Sequence, residues 1–132
     1  LDPIPTQYIS YESFKMGMTP PWLNSMKRFE VIDGDYTLKD GVELLFLPGH
    51  SPGSQGVRVN TEKGWYVLAG DCVQIYECWE KRLHGYPIAC GILTDLIAYY
   101  DSLKKLMVCT NHLLPGHDWR VFDHPVYPYG GE

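Results

Sequence analysis

The sequence predicts an α/β layered domain, and three observations predict it. Short apolar runs of strand length recur, each closed by a Gly-bearing turn. One longer stretch has a helical period, and a last short apolar run follows it. With 132 residues, the chain suffices for one modest domain with a single core.

The elements follow in order. Residues Leu1 to Met18 carry Pro3, Pro5 and several aromatics without a clean period, as in a loop or irregular helix packed on something else. Thr19-Pro20-Pro21 reads as a helix start, with Thr as cap and Pro in the first turn, and a short helix runs through Trp22 to Lys27. Phe29 to Ile32 reads as a strand and Asp33-Gly34-Asp35 as a turn. Asp40-Gly41 is a strong hairpin signal. Val42 to Leu47 is an apolar strand stopped by Pro48-Gly49, and Gln55 to Asn60 alternates as a half-buried strand does. A polar turn, Thr61 to Gly64, leads into the strand Trp65 to Ala69, which Gly70-Asp71 stops. The clearest helix spans about Asp95 to Met107, with Leu96, Ile97, Tyr100, Leu103 and Met107 on one apolar face. Thr94 is its expected cap, and Lys104 and Lys105 suit its negative end. Leu113-Leu114 is a short strand before Pro115-Gly116-His117-Asp118, and the tail reads as irregular.

Composition excludes some functions. Hydrophobic residues at 45% and charged residues at 20% are ordinary for a soluble globular chain. A net charge of −5 argues against a nucleic-acid partner, which wants a basic face. No apolar run approaches the roughly 20 residues that span a bilayer, and no signal segment opens the chain. A membrane partner is therefore not expected, and the expected location is cytoplasmic. Cys72, Cys78, Cys90 and Cys109 form no CxxC pair and read as reduced, partly buried thiols. The first residue is Leu rather than Met, and the expectation is a processed or trimmed piece.

Three apolar strands end alike: Leu47-Pro48-Gly49-His50, Leu68-Ala69-Gly70-Asp71 and Leu114-Pro115-Gly116-His117. In each, Gly directly precedes a potential metal ligand. A buried strand is a rigid base, and Gly lets the chain turn sharply without a side chain crowding an ion. In α/β sheets, sites gather outside strand ends. Two imidazoles and a carboxylate suit Zn²⁺, Mn²⁺ or Fe²⁺. Any one of these tripeptides alone is more often a simple turn; the repetition makes His50, Asp71 and His117 the candidate ligands.

The run Leu47-Pro48-Gly49-His50-Ser51-Pro52-Gly53-Ser54-Gln55 closely resembles the second metal-binding segment of the metallo-β-lactamase superfamily. Ala69-Gly70-Asp71 resembles its bridging-aspartate strand end, and Leu114-Pro115-Gly116-His117-Asp118 its last histidine segment, in the same order and spacing. Val31-Ile32-Asp33-Gly34-Asp35 and the helix from Thr94 to Leu106 look most like the N-acyl-homoserine lactonase and 4-pyridoxolactonase branch. The resemblance covers residues 29–122, with 1–28 as an irregular or helical lead-in and 123–132 as a tail. It implies the C-terminal half of an αββα sandwich, a mixed sheet flanked by helices.

The departures are specific. The superfamily's His-x-His-x-Asp-His signature is missing, and no His-x-His occurs anywhere in the sequence. The N-terminal half is then expected to be absent from this chain or supplied as a second chain carrying that signature. The lactonase branch has a tyrosine close after the bridging aspartate. Here the third residue after Asp71 is Gln74 and the nearest tyrosine is Tyr76, the candidate for that role, with packing as the alternative.

The resemblance implies two zinc ions in the complete site, with manganese or iron as alternatives. His50 would serve the first metal, Asp71 both and His117 the second. It implies attack of a metal-bridging hydroxide on a lactone or similar ester, with this chain supplying part of the site. A glyoxalase-II-like thioesterase is the near rival. A 2-His-1-carboxylate oxygenase lacks its closely spaced His-x-Asp/Glu pair. A non-catalytic half that forms homo-oligomers through its uncovered sheet face is the rival of different class. Of the other histidines, His84 reads as a loop residue near the substrate mouth with a surface or structural role, His112 as structural and His124 as exposed. Tyr8, Tyr11, Phe14 and Trp22 read as packing residues, with a substrate pocket as the alternative.

Overall fold

The computed structural model describes residues 27–129. The chain divides into two compact units, Leu1–Ile32 and Asp33–Glu132. The expected Thr19-Pro20-Pro21 helix start and Tyr8, Tyr11, Phe14 and Trp22 lie outside the described residues.

In the second unit five strands form one mixed sheet: β1 (Tyr36–Lys39), β2 (Val42–Phe46), β3 (Gln55–Thr61), β4 (Gly64–Leu68) and β7 (His112–Leu114), paired in that order. The first four form an antiparallel meander, and β7 joins β4 in parallel. The alternation has a functional consequence. β2 and β4 flank the antiparallel β3, so β2, β4 and β7 all run the same way and end on one edge of the sheet. The expected strands at Val42, Gln55, Trp65 and Leu113 are thus present. The Asp40-Gly41 turn closes the β1–β2 hairpin with Gly41 at φ 74°.

Three short elements follow β4: helix α1 (Tyr76–Glu80) and the two-residue strands β5 (Arg82–Leu83) and β6 (Tyr86–Pro87). The long helix α2 (Leu96–Cys109) then crosses back to β7. Its cap is Asp95, whose Oδ1 accepts from Ala98 N at 2.9 Å, and not Thr94. Thr94 instead donates its hydroxyl to Gly49 O at 3.1 Å.

Tyr99, Ser102, Leu103 and Leu106 form the buried stripe of α2, at the i, i+3, i+4, i+7 spacing of one helix face. Tyr99, Leu103 and Leu106 pack on Leu45, Leu47, Val67, Ala69 and Leu113. The expected apolar face is therefore corrected. Of its five residues Leu103 alone is in the core, while Leu96 and Ile97 are 52% and 77% exposed. Ser102 explains the shift: its hydroxyl is buried because it donates to Pro48 O at 2.7 Å, which a hydrophobic pattern cannot register. Lys104 and Lys105 are not in the last turn; Lys105 binds Asp35 and Phe46 O, and Lys104 binds Asp101.

The opposite sheet face is also apolar. Leu44, Val57, Leu68 and Leu114 stand in one row across it, and Leu68 is 46% exposed. The expected strand Phe29–Ile32 forms no ladder; Phe29 and Val31 are 56% and 81% exposed, so an apolar run without a partner strand stays irregular. A 3-10 turn, Trp119–Phe122, follows the His117 loop. Among the described residues no helix is long and apolar enough to cross a membrane. All four cysteines are free, as expected.

The helix is seated by a backbone contact. Gly49 has φ 127°, and a Cβ there would collide with the backbone of Tyr99. Gly49→Ala is expected to lower the stability of the chain by about 3 kcal/mol, from overpacking and backbone strain together. Gly53→Ala, with open space around the added methyl, should change it little. Urea unfolding midpoints of the two variants check this; equal midpoints contradict it.

Candidate functional site

The same-direction strand ends carry the three predicted side chains. After β2 the chain folds into a tight loop in which Ser54 O accepts from Leu47 N at 2.9 Å, and Ser54 Oγ binds Ser51 N at 3.0 Å. This loop sets His50 against the core with its side chain 4% exposed. The His50 Nδ1 lies 2.6 Å from Ile92 O. A carbonyl can only accept, so Nδ1 bears the proton, and in the neutral ring Nε2 carries the lone pair. That Nε2 faces Asp71 Oδ2 at 3.5 Å.

Asp71 sits in the 3-10 turn Gly70–Cys72 that leaves β4. His117 arrives from β7, its backbone held alongside the chain after Asp71: Gly116 N donates to Val73 O at 3.0 Å and His117 N to Gln74 O at 2.8 Å. Glycine is required at 116 because a Cβ there would stand 2.7 Å from Gly70 O. His117 Nε2 lies 2.6 Å from Asp71 Oδ1. One carboxylate thus presents a different oxygen to each of two imidazoles, one buried and one 63% exposed.

Two ligands of one tetrahedral ion, each about 2.1 Å from it, stand roughly 3.4 Å apart. The His50–Asp71 separation of 3.5 Å matches that spacing. The His117–Asp71 separation of 2.6 Å is that of a hydrogen bond. Accordingly, no group of three or more His, Cys, Asp or Glu among the described residues is arranged to hold an ion as it stands. The donor chemistry and the His50–Asp71 spacing fit a metal.

Tyr76 is joined to the His117 loop through Asp118. It opens α1, its N–H donates to Asp118 Oδ2 at 2.8 Å, and the Arg120 guanidinium stands 4.6 Å over its ring. The ring lines a cleft of about 260 Å³ with Glu80, Arg120, His124, Tyr127 and Tyr129. Burial, followed by the neighbouring Tyr127 and Asp118, pushes its hydroxyl up to about 12. His84, at φ 52° in the β5–β6 hairpin, lines a separate cleft with Tyr86, Tyr100 and Lys104. His112 is structural, stacked on Tyr66 at 4.3 Å with Nε2 on Lys63 O. His124 is half-buried rather than exposed, because it stacks on Tyr129 at 3.5 Å.

Sequence reasoning missed the groups that hold the trio. Ile92 O is 42 residues from His50 and carries no side-chain signal. Asp118, adjacent to His117, accepts from Tyr76 N and from Arg120, joining the His117 loop to the start of α1. The Arg120 side chain, then the Tyr76 N–H, hold its carboxyl down at about 2. Trp119 and Phe122, 84% and 74% exposed, line a cavity of about 320 Å³ together with His117.

The fold and site define an α/β chain with a histidine–carboxylate cluster at the carboxyl ends of its strands. Comparison with known proteins narrows this. The chain is 50% identical over 40 residues to an N-acyl homoserine lactonase of Bacillus cereus, covering 30% of this chain and 16% of that protein. It is 48% identical over 79 residues to an N-acyl homoserine lactonase of a Bacillus species, covering 59% of this chain and 29% of that one. It superposes with a TM-score of 0.57 and 28% identity on an N-acyl homoserine lactone hydrolase solved with N-hexanoyl-L-homoserine at its catalytic metal centre, covering 76% of this chain and 40% of that chain. No family model matches. The chain is similar to these lactonases over part of its length, and it spans less than a third of those curated relatives.

The Asp118–Arg120 clasp is directly testable. Its lowered carboxyl gives a stabilising contribution that is present above the ordinary carboxylate range near pH ~4 and is lost as pH falls toward about 2. Arg120→Ala should raise the Asp118 midpoint toward that ordinary range in a carboxyl NMR titration. An unmoved midpoint contradicts the clasp.

Proposed function

We propose that this chain supplies His50, Asp71 and His117 to the metal centre of a hydrolase that opens a lactone or similar ester. The observation that carries the reading is the Asp71 carboxylate set between two imidazoles, 3.5 Å from one and 2.6 Å from the other, at the ends of same-direction strands. The partial likeness to lactonases supports the substrate class. Zinc, manganese or iron bound there would supply Lewis acidity and a water acidified toward neutral pH.

The chain's own residues would divide the work. Buried His50, its tautomer fixed by Ile92 O, gives one rigid donor. Asp71 offers an oxygen to each side. His117, at the solvent edge beside Trp119 and Phe122, gives the second imidazole where a substrate can approach. With no His-x-His in the sequence, the remaining ligands of a two-ion centre come from a partner segment or chain. Four free thiols fit a cytoplasmic setting.

A second reading draws on the apolar row Leu44, Val57, Leu68 and Leu114: the chain as a non-catalytic module that self-associates through this face. One experiment separates the two. Equilibrium dialysis against zinc, with sedimentation of the same samples, should find zinc held by the wild type and lost in Asp71→Ala. Equal zinc in both, or a multimer that holds none, contradicts the metal-centre reading.

A further inference from the structure

Tyr99 links the loop that holds His50 to the turn that carries Asp71. Its ring is in the core, 1% exposed, and its hydroxyl lies between two strand-end loops. The hydroxyl donates to Cys72 O at 2.6 Å, the carbonyl of the residue after Asp71. It accepts from Cys90 N at 3.3 Å. Cys90 Sγ in turn reaches Ile92 O at 3.2 Å, the carbonyl on which His50 Nδ1 rests. On the other side the Tyr99 backbone abuts Gly49, the residue before His50. One phenolic oxygen can donate once and also accept, so both hydroxyl contacts are made together. Burial raises its pKa, which keeps the donated proton in place through the neutral range.

We propose that Tyr99 is a positioning residue, whose buried hydroxyl fixes the His50 carbonyl partner and the Asp71 turn relative to each other. The inference rests on the metal-centre reading for its functional meaning, but its geometry can be tested without metal. Removing the hydroxyl strands a buried carbonyl and a buried N–H, and both belong to the loops that carry the site. Outer groups that orient metal ligands typically change affinity by roughly 10–100-fold.

The test is Tyr99→Phe, which keeps the ring and removes the hydroxyl alone. In the metal-free chain, NMR of imidazole protons reads the His50 Nδ1–H on Ile92 O; His112 Nε2, on Lys63 O at 3.0 Å, is the internal control. The His50 proton should shift and exchange faster in the variant while that of His112 stays put. A folded variant with an unchanged His50 proton overturns the proposal. If Tyr99→Phe does not fold, the wild type decides: the Cys90 amide and the His50 proton should exchange through one shared opening, and independent rates overturn the proposal. Zinc affinity is measured in parallel and should fall at least tenfold in the variant, an effect in the range given above. A wild-type chain that binds no zinc fails the metal-centre reading, while the His50 proton still decides the role of Tyr99.

Discussion

The contact between Gly49 and the first turn of α2 is the constraint on which the site depends. Gly49 adopts φ 127° and lies so close to the Tyr99 backbone that no side chain fits between them. Its carbonyl accepts from Thr94 N at 2.7 Å and Asp95 N at 3.1 Å, so the start of the helix is bolted to the end of β2. Two results follow. Leu47 and Tyr99 are driven into one core with Val67 and Leu106, which is the main apolar burial of the unit. His50, one residue on, is pressed against the loop that contains Ile92 and has its tautomer fixed by that residue's carbonyl.

Strand direction then does the rest. Because β3 reverses the chain between β2 and β4, and β7 pairs with β4 in parallel, three separate ends meet on one edge. Small residues let them approach: Gly116 lies against Gly70 with no room for a Cβ, and this brings His117 to Asp71. A site at the carboxyl ends of strands in an α/β sheet is the usual outcome of this topology. The sheet and helix that carry these ends lie in a chain that superposes on a lactone hydrolase over 76% of its length.

Much of this was legible because it is local. Asp40-Gly41 names its own turn, the apolar runs at Val42, Trp65 and Leu113 name their strands, and a Gly before each of His50, Asp71 and His117 names the strand ends. What was not legible depends on partners far along the chain. β1 is exposed throughout and exists because Tyr36 pairs with Leu44, which no pattern of its own announces. The apolar run Phe29–Ile32 looked like a strand and has no ladder to join. The buried face of α2 turned on a serine whose hydroxyl meets Pro48 O, and its cap on Asp95 because Thr94 was already engaged with Gly49. The orienting carbonyl of His50 and the Tyr99 hydroxyl network likewise come from residues remote in sequence.

The central proposal is that Asp71, with one oxygen toward His50 and the other 2.6 Å from His117 Nε2, is a metal ligand shared between the two imidazoles. Crystals of the chain grown with saturating zinc, with anomalous diffraction recorded at the zinc edge, test it most directly. The account predicts anomalous density beside Asp71, on the side of His50 Nε2 or of His117 Nε2 or on both, with the His117–Asp71 hydrogen bond opened where His117 binds. A map with no peak at Asp71 and that hydrogen bond intact would contradict it.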